Sequence, residues 1–183
     1  MSLSATCYSC HFDGRLLNKV GHQRKFIQSF FFPDLFGGGK YFINARSKYI
    51  LFEKKTTWET ANRWCQRLGR GWYPASMPTR QEFDQVATKL QKLRSGSANS
   101  CHDSWIGLTY DNNWYWFVGE PPILASDDER WAAGEPQIDN QANVDYNDRA
   151  NVGFIRVEGS QGKILTANRK STKLCSFLCA KKK

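Results

Sequence analysis

Histidine is scarce in this chain, which has three among its 183 residues. His11, His22 and His102 are far apart in the sequence, and none has a nucleophile with an orienting acid at a recognisable spacing. His102 followed by Asp103 is typical of an exposed loop pair. We therefore predict that the protein is not an enzyme.

Long apolar runs are also missing. No run approaches the ~18 apolar residues of a membrane span, and residues 1–6 are too short and polar for the hydrophobic region of a signal peptide. Internal repeats and low-complexity tracts are absent from the sequence. The composition, 40% hydrophobic and 14% aromatic, is typical of a globular protein. The length suits one domain with a substantial core and an N-terminal extension.

Acidic residues are concentrated in the middle of a basic chain, whose net charge is +9. Residues 101–159 carry eleven Asp and Glu but three Lys and Arg, whereas residues 160–183 carry seven Lys and Arg and no acid. An acidic loop suits a divalent cation or a polyhydroxylated ligand, and basic ends suit an anionic surface or polymer. The alternative is that the acidic residues form only a solvated loop.

Two helices are predicted between residues 56 and 94. Thr56 and Thr79 each precede a glutamate by three residues, which is the spacing of a capping box that opens a helix. The apolar residues that follow recur at spacings of three and four, so each helix has one buried face, and the first face contains Cys65. Alternating residues in 41–52 predict a strand pair before the helices.

Four of the seven tryptophans lie within residues 105–137. Trp114 and Trp116 are two residues apart, so an extended strand points both side chains to one face. That face is predicted to be buried, since a tryptophan pair provides a large apolar area. Residues 138–151 are rich in Asn, Asp and Gln without periodicity, which predicts a long loop. Three further strands are predicted, at 152–157, 163–165 and 174–180.

Three linked motifs resemble the C-type lectin-like domain. They are Trp-Ile-Gly-Leu at 105–108, Trp-x-Trp at 114–116 and Trp-x-x-Gly-Glu-Pro at 131–136. Secreted C-type lectins of insects are similar in sequence character. The resemblance covers residues 40–180, and it implies an α+β fold. This C-type lectin fold has two helices, two small antiparallel sheets and a long ligand-binding loop.

The resemblance leaves both ends of the chain outside the domain. Residues 1–39 are predicted to be an N-terminal extension that packs on the domain, because the cluster Phe30-Phe31-Phe32 needs a packing partner. The alternative is that the extension contacts another subunit or partner, so an oligomer stays open. Residues 181–183 are predicted to be a solvated, unstructured basic tail.

The six cysteines, an even number, indicate disulfides made in an oxidising compartment, although six allow 15 pairings. The resemblance implies that the family's most constant bond joins Cys65 to Cys179. The two positions of the family's second common bond hold Val152 and, nearby, Ser171. Because disulfides form in an oxidising compartment, we expect a secreted, extracellular protein. The predicted pairs are Cys65–Cys179, Cys101–Cys175 and Cys7–Cys10.

The family binds calcium and sugar through a Glu-Pro-Asn triplet that flanks a cis proline, and here the triplet is Glu135-Pro136-Gln137. Glutamine keeps the amide but is one methylene longer, so the family's sugar preference is not carried over. The family's Trp-Asn-Asp triplet falls near residues 166–168, where we expect an oxygen ligand from Asn168 alone. The predicted ligand-binding residues are Glu135, Gln137, Asp145, Asn147, Asp148 and Asn168. A calcium ion is expected on Glu135, Gln137 and Asp148, with Asp127, Asp128 and Glu129 as alternative contributors.

The resemblance implies a secreted glycan-binding lectin that recognises surface carbohydrates or glycoproteins, with calcium as its expected cofactor and a role in innate immunity. The alternative is a calcium-independent lectin-like module that binds a protein or an anionic polymer, such as a sulfated glycan. We do not expect a nucleic-acid partner. Arg63, Arg67 and Arg70 are interleaved along a helix in the manner of a solvated face, and an oxidised secreted chain seldom meets DNA.

Overall fold

The computed structural model describes residues 38–94, 101–118, 128–137, 150–159, 161–170 and 172–183. Two α-helices are present in this part of the chain, α1 (Trp58–Arg67) and α2 (Arg80–Arg94). The strands are β1 (Lys40–Ile43), β2 (Ser47–Phe52), β3 (Trp72–Pro74), β4 (Asp103–Asp111), β5 (Asn113–Trp116), β6 (Ala150–Glu158), β7 (Gln161–Asn168) and β8 (Ser176–Lys182).

The strands form one mixed sheet in the order β1-β2-β8-β4-β6-β7, with β3 paired to β8 and β5 to β4. All pairings are antiparallel except that of β4 with β8, which aligns Ser104 with Ser176 and Trp105 with Phe177. This short parallel pairing joins the two antiparallel sheets that the family resemblance implied. The predicted α+β class with two helices is confirmed, and the strands form one mixed sheet.

The two helices lie on opposite faces of the sheet. Successive residues of β2 and β8 alternate between two core clusters, as expected for strands buried on both faces. Phe83, Val86 and Leu90 of α2 belong to the cluster that contains Trp114 and Trp116. The other cluster contains the buried face of α1, which is Trp58, Ala61 and Cys65. Both predicted helix faces and the predicted burial of the tryptophan pair are confirmed.

The helix caps differ from the predicted capping boxes. Thr57, not Thr56, caps α1, with its side chain accepting from the Thr60 backbone N–H. Thr56 is held elsewhere, because its backbone forms both hydrogen bonds of a bridge to Leu174. Thr79 does accept from the first turn of α2, at 3.2 Å from the Glu82 nitrogen.

Glu82 does not close the box of α2, because its side chain turns into the core. It is 3% exposed and accepts hydrogen bonds from the hydroxyls of Tyr49 at 2.6 Å and Ser47 at 3.2 Å. Burial, together with the hydrogen bond to Glu82, raises the pKa of Tyr49. A buried carboxylate needs such donors, so this pair fixes α2 against β2.

The C-terminal residues of the chain continue the last strand. The prediction of an unstructured tail at 181–183 is wrong, because β8 runs to Lys182 and the Lys183 N–H donates to the Arg46 carbonyl at 3.0 Å. Apart from Gly38 and Gly39, the N-terminal extension lies outside the described residues, so its packing stays a prediction.

Two of the three predicted disulfides are confirmed. Cys65 in α1 is bonded to Cys179 in β8, and Cys101 is bonded to Cys175. Cys7 and Cys10 lie outside the described residues. No helix in the described part of the chain is both long and apolar enough to span a membrane.

Gly107 in the centre of the sheet has no room for a side chain, because the backbone of Pro74 lies against it. A Cβ at this position would lie 2.9 Å from the Pro74 carbonyl carbon and closer still to its oxygen, which are backbone atoms that cannot rotate away. We expect Gly107→Ala to destabilise the fold by about 3 kcal/mol. The measurement is the free energy of unfolding from chemical denaturation.

Gly159→Ala is the control for this substitution. Gly159 has a φ of +58° but open space around the added Cβ, so only the left-handed backbone is penalised, by about 1 kcal/mol. Equal losses for the two variants would contradict the packing explanation.

Candidate functional site

The predicted ligand-binding triplet lies on a segment that runs beside β7. The Ile164 N–H donates to the Arg130 carbonyl at 2.7 Å, and the Ala132 N–H donates to the Ile164 carbonyl at 2.9 Å. Trp131 and Ile164 thereby form a parallel bridge. Residues 130–132 are thus fixed to the strand, and the residues that follow them reach the level of Thr166.

Trp131 anchors this segment in the core. Its side chain is 6% exposed and packs against Trp114 with ring centroids 5.2 Å apart in an edge-to-face arrangement. Burial of one tryptophan removes about 200 Å² from water, which corresponds to about 5 kcal/mol. A single hydrogen bond contributes about 1 kcal/mol net. Apolar burial of Trp131 is therefore the dominant attachment of the loop.

Arg130 provides a second attachment. It is buried, its guanidinium lies 5.9 Å from the centre of the Trp116 ring, and its Nη1 donates to the carbonyls of Met77 at 2.9 Å and Pro78 at 3.1 Å. The Asp128 carboxylate accepts from Arg130 Nε at 2.8 Å and from its backbone N–H at 2.9 Å. This ion pair neutralises the buried guanidinium.

The Asp128 and Glu129 side chains are therefore used for structure. Burial alone would raise the pKa of Asp128, but the hydrogen bonds from Arg130 outweigh it, so the pKa lies below its usual value. Glu129 forms a salt bridge with Arg80 at 2.8 Å. These two carboxylates pair with arginine, so the structure does not support them as alternative calcium ligands.

The triplet itself has the geometry that the resemblance implied, with a cis peptide bond between Glu135 and Pro136. The Oε2 atom of Glu135 accepts from the Thr166 hydroxyl at 2.6 Å and from the Gln137 backbone N–H at 2.9 Å. Glu135 is half-buried and Gln137 is exposed. Two protein donors therefore hold the carboxylate that binds calcium in the family.

Thr166 is the site residue that the sequence reasoning missed. It lies at a position where the family has tryptophan, so the triplet count predicts no role for its hydroxyl. Only the register of β7 against residues 130–132 brings it to Glu135. The sequence does have a hydroxyl-bearing residue, Thr166, at one of the three positions of the triplet, and this was the signal that could have identified it.

The other predicted site residues have different outcomes. Asn168 ends β7 on the same strand face as Thr166, and its Oδ1 accepts from the Lys170 N–H at 2.8 Å in the following turn. Asp127, Asp145, Asn147 and Asp148 lie outside the described residues. Their role stays a prediction.

Calcium has specific requirements that can be compared with these residues. It takes six to eight oxygen ligands, with carboxylates foremost. Within the described residues, no group of three or more His, Cys, Asp or Glu side chains is placed to hold a metal ion. One oxygen of Glu135 is engaged by two donors, and the Oδ1 of Asn168 is engaged by a backbone N–H. The described residues alone therefore do not fit a calcium ion.

A groove of about 710 Å³ in the described part of the chain lies away from Glu135. It lies between β1 and α2 and is lined by residues such as Phe42 and Val86. β1 is at one edge of the sheet and β7 at the other. A ligand at Glu135 would therefore not occupy this groove.

The ion pair of Asp128 with Arg130 predicts an acid dependence of stability. Because the folded pKa of Asp128 lies below the unfolded value of about 3.9, its charge contributes stability above about pH 4. That contribution is lost as the pH falls through the folded pKa. We expect Asp128→Asn to lower the free energy of unfolding at neutral pH and to weaken the decline of that free energy in acid. The measurement is urea denaturation between pH 2 and pH 7.

Asp84→Asn, which removes an exposed carboxylate paired with Arg80, is the control. Parallel pH profiles of the parent and Asp128→Asn would contradict the assignment.

Comparison with solved structures identifies the fold. The lectin CEL-I from Cucumaria echinata superposes with a TM-score of 0.58 at 19% identity, covering 76% of this chain and 93% of that one. Human lithostathine gives a TM-score of 0.58 at 22% identity and coverages of 78% and 88%. The carbohydrate-recognition domain of the human scavenger receptor C-type lectin gives 0.56 at 18%, with coverages of 78% and 96%.

Two curated relatives match part of the sequence. Rheacalcin-1 from Rhea americana is 30% identical over 89 residues, which is 48% of this chain and 64% of the relative. One subunit of the snaclec coagulation factor IX/factor X-binding protein from Echis carinatus is 32% identical over 66 residues, 36% of this chain and 50% of the relative. The matches span less than two thirds of either relative, and no family model matches the chain. The superpositions show that the chain contains a domain of the C-type lectin-like fold, in agreement with the strand order, the cis Glu-Pro loop and the Cys65–Cys179 bond.

Proposed function

We propose that this chain is a secreted glycan-binding module that does not depend on calcium. Its binding site is the Glu135 surface, which we define as Glu135, Gln137, Thr166 and Asn168. The observation that carries the proposal is the pair of hydrogen bonds to Glu135 Oε2 from Thr166 and Gln137. These donors hold the carboxylate in place. In the family, the corresponding carboxylate is held by a calcium ion.

The chemistry of this surface suits a polyhydroxylated ligand. A sugar hydroxyl both donates and accepts hydrogen bonds, so it is matched by a carboxylate beside an amide. Glu135 supplies the acceptor, and the exposed Gln137 amide supplies an acceptor and two donors. Because the carboxylate is already fixed by Thr166, little conformational entropy is lost when a sugar binds.

The relatives support the ligand class. The scavenger receptor domain is named for carbohydrate recognition, and the cow CD23 domain, with a TM-score of 0.56 at 18% identity, was solved with a GlcNAc2Man3 oligosaccharide. Two disulfides in the described residues support an oxidising, extracellular location. Surface glycans are accessible there, and recognition of microbial ones is the role that the resemblance suggests.

A second candidate is a module that binds a protein partner. It is favoured by the snaclec relative, which is named for binding coagulation factors IX and X. It is also favoured by the poor fit of the described residues to calcium. Both candidates share independence from calcium, and they differ in whether a glycan alone is bound.

A glycan array with and without EDTA tests the proposal. We expect binding that EDTA does not change and that Glu135→Gln weakens at least tenfold, about 1.4 kcal/mol, because the charged acceptor is lost. Glu158→Gln, which removes an exposed carboxylate at the end of β6, should retain full binding.

Other outcomes of the array would decide against the proposal. Loss of glycan binding in EDTA would show calcium dependence. An array without any bound glycan would leave the protein-binding candidate in its place.

A further inference from the structure

Cationic residues converge where the start of β2 meets the end of β8. The strand register places Lys48 directly opposite Lys181, and the backbone of Lys183 is hydrogen-bonded to that of Arg46. Arg46, Lys48, Lys182 and Lys183 are exposed, and Lys181 is half-buried. We call these five residues the basic edge.

The basic edge accumulates positive charge. Like charges directly opposite each other on paired strands are unfavourable. The salt bridges found among the described residues use other cations, namely Lys40, Arg80, Arg130 and Arg156. Arg46, Lys48 and Lys181 therefore have no ion pair with a described residue. Such a surface attracts anions and raises their local concentration.

A small cavity adjoins the basic edge. It has a volume of about 200 Å³, and Tyr73, Ser76, Lys181 and Lys182 are among the residues that line it. Ser76 is 4% exposed, and its hydroxyl has no hydrogen-bond partner in the described part of the chain. The hydroxyl oxygen is enclosed, so the Ser76 side chain must turn into the cavity before an acceptor from a ligand can reach it. Buried hydroxyls are nearly always hydrogen-bonded, and such an acceptor would complete this site.

Gly71 explains how Lys181 reaches this position. A Cβ on Gly71 would lie 3.4 Å from Cε of Lys181, so the aliphatic part of Lys181 packs where a side chain is absent. The lysine stem covers the backbone, and its ammonium group stays at the surface, as is usual for long cationic side chains. The cavity thus combines cationic groups with a buried hydroxyl donor.

We propose that the basic edge and this cavity form a binding site for a sulfated polysaccharide. One sulfate group accepts from the Ser76 hydroxyl once that side chain has turned into the cavity, and neighbouring sulfates contact Lys48 and Lys181. Adjacent strands are about 4.8 Å apart, so the edge presents cations in a close row that a repeating polyanion can follow. The two disulfides favour an extracellular polyanion over a nucleic acid.

This site is distinct from the Glu135 surface. β8 carries the basic edge and β7 carries Thr166, and β4 and β6 lie between them in the sheet. The ligand of the basic edge is recognised by its charge, whereas the ligand of the Glu135 surface is recognised by its hydroxyls. The two proposals can therefore fail independently.

Binding of the full chain to immobilised heparin, followed by surface plasmon resonance, tests the site. We expect Lys48→Gln with Lys181→Gln to weaken binding at least tenfold, with a smaller dependence of affinity on salt because fewer counterions are released. The matched control is Lys55→Gln with Lys173→Gln. These exposed lysines flank the Thr56–Leu174 bridge, at the other end of β8. This pair removes the same charge and should change affinity less than twofold.

Ser76→Ala tests the cavity separately. We expect weaker heparin binding with a melting temperature that is unchanged or higher, since the variant removes a buried hydroxyl without a partner. A lower melting temperature with unchanged heparin binding would instead show that Ser76 is structural, and it would overturn the cavity.

Three further results would overturn the basic edge as a sulfated-polysaccharide site. They are equal losses in the two lysine pairs, an absence of heparin binding at low salt, and tighter binding to an oligonucleotide or to phosphatidylserine vesicles than to heparin. Glu135→Gln should leave heparin affinity unchanged, which separates this site from the Glu135 surface.

Discussion

The attachment of residues 130–132 to β7 is the constraint on which the candidate site depends. It is set by the burial of Trp131 against Trp114, which outweighs any single backbone hydrogen bond between this segment and β7. Once Trp131 is fixed opposite Ile164, Glu135 lies beside the hydroxyl of Thr166. The geometry of the carboxylate thus follows from apolar packing and strand register among the described residues.

Much of the fold could be predicted because its signals are local. The spacing of Trp58, Ala61 and Cys65 specifies one helix face, and the two-residue spacing of Trp114 and Trp116 specifies one strand face. Each apolar face was found buried. The Cys65–Cys179 bond and the cis Glu-Pro bond came from the family resemblance, whose three motifs are specific in combination. These features depend on chain neighbours or on motifs, so a single sequence suffices.

The features that the sequence did not predict depend on partners distant in the chain. Thr56 does not cap α1, because its backbone pairs with Leu174. Glu82 does not complete the capping box of α2, because its side chain is buried and accepts hydrogen bonds from Tyr49 and Ser47 of β2. Thr166 became a site residue through strand register alone. The same cause gave the parallel pairing of β4 with β8 and the ordered end of β8, since no local pattern encodes which strands meet.

The central claim is that two protein donors hold the Glu135 carboxylate in place without a calcium ion. The most direct measurement is the ¹³C chemical shift of the Glu135 carboxyl carbon, assigned by comparison with Glu135→Gln, during a calcium titration. We predict no change up to about 10 mM calcium, above the range of weak extracellular calcium sites. A saturable shift of that carbon would contradict the claim, because it would show that calcium binds the carboxylate.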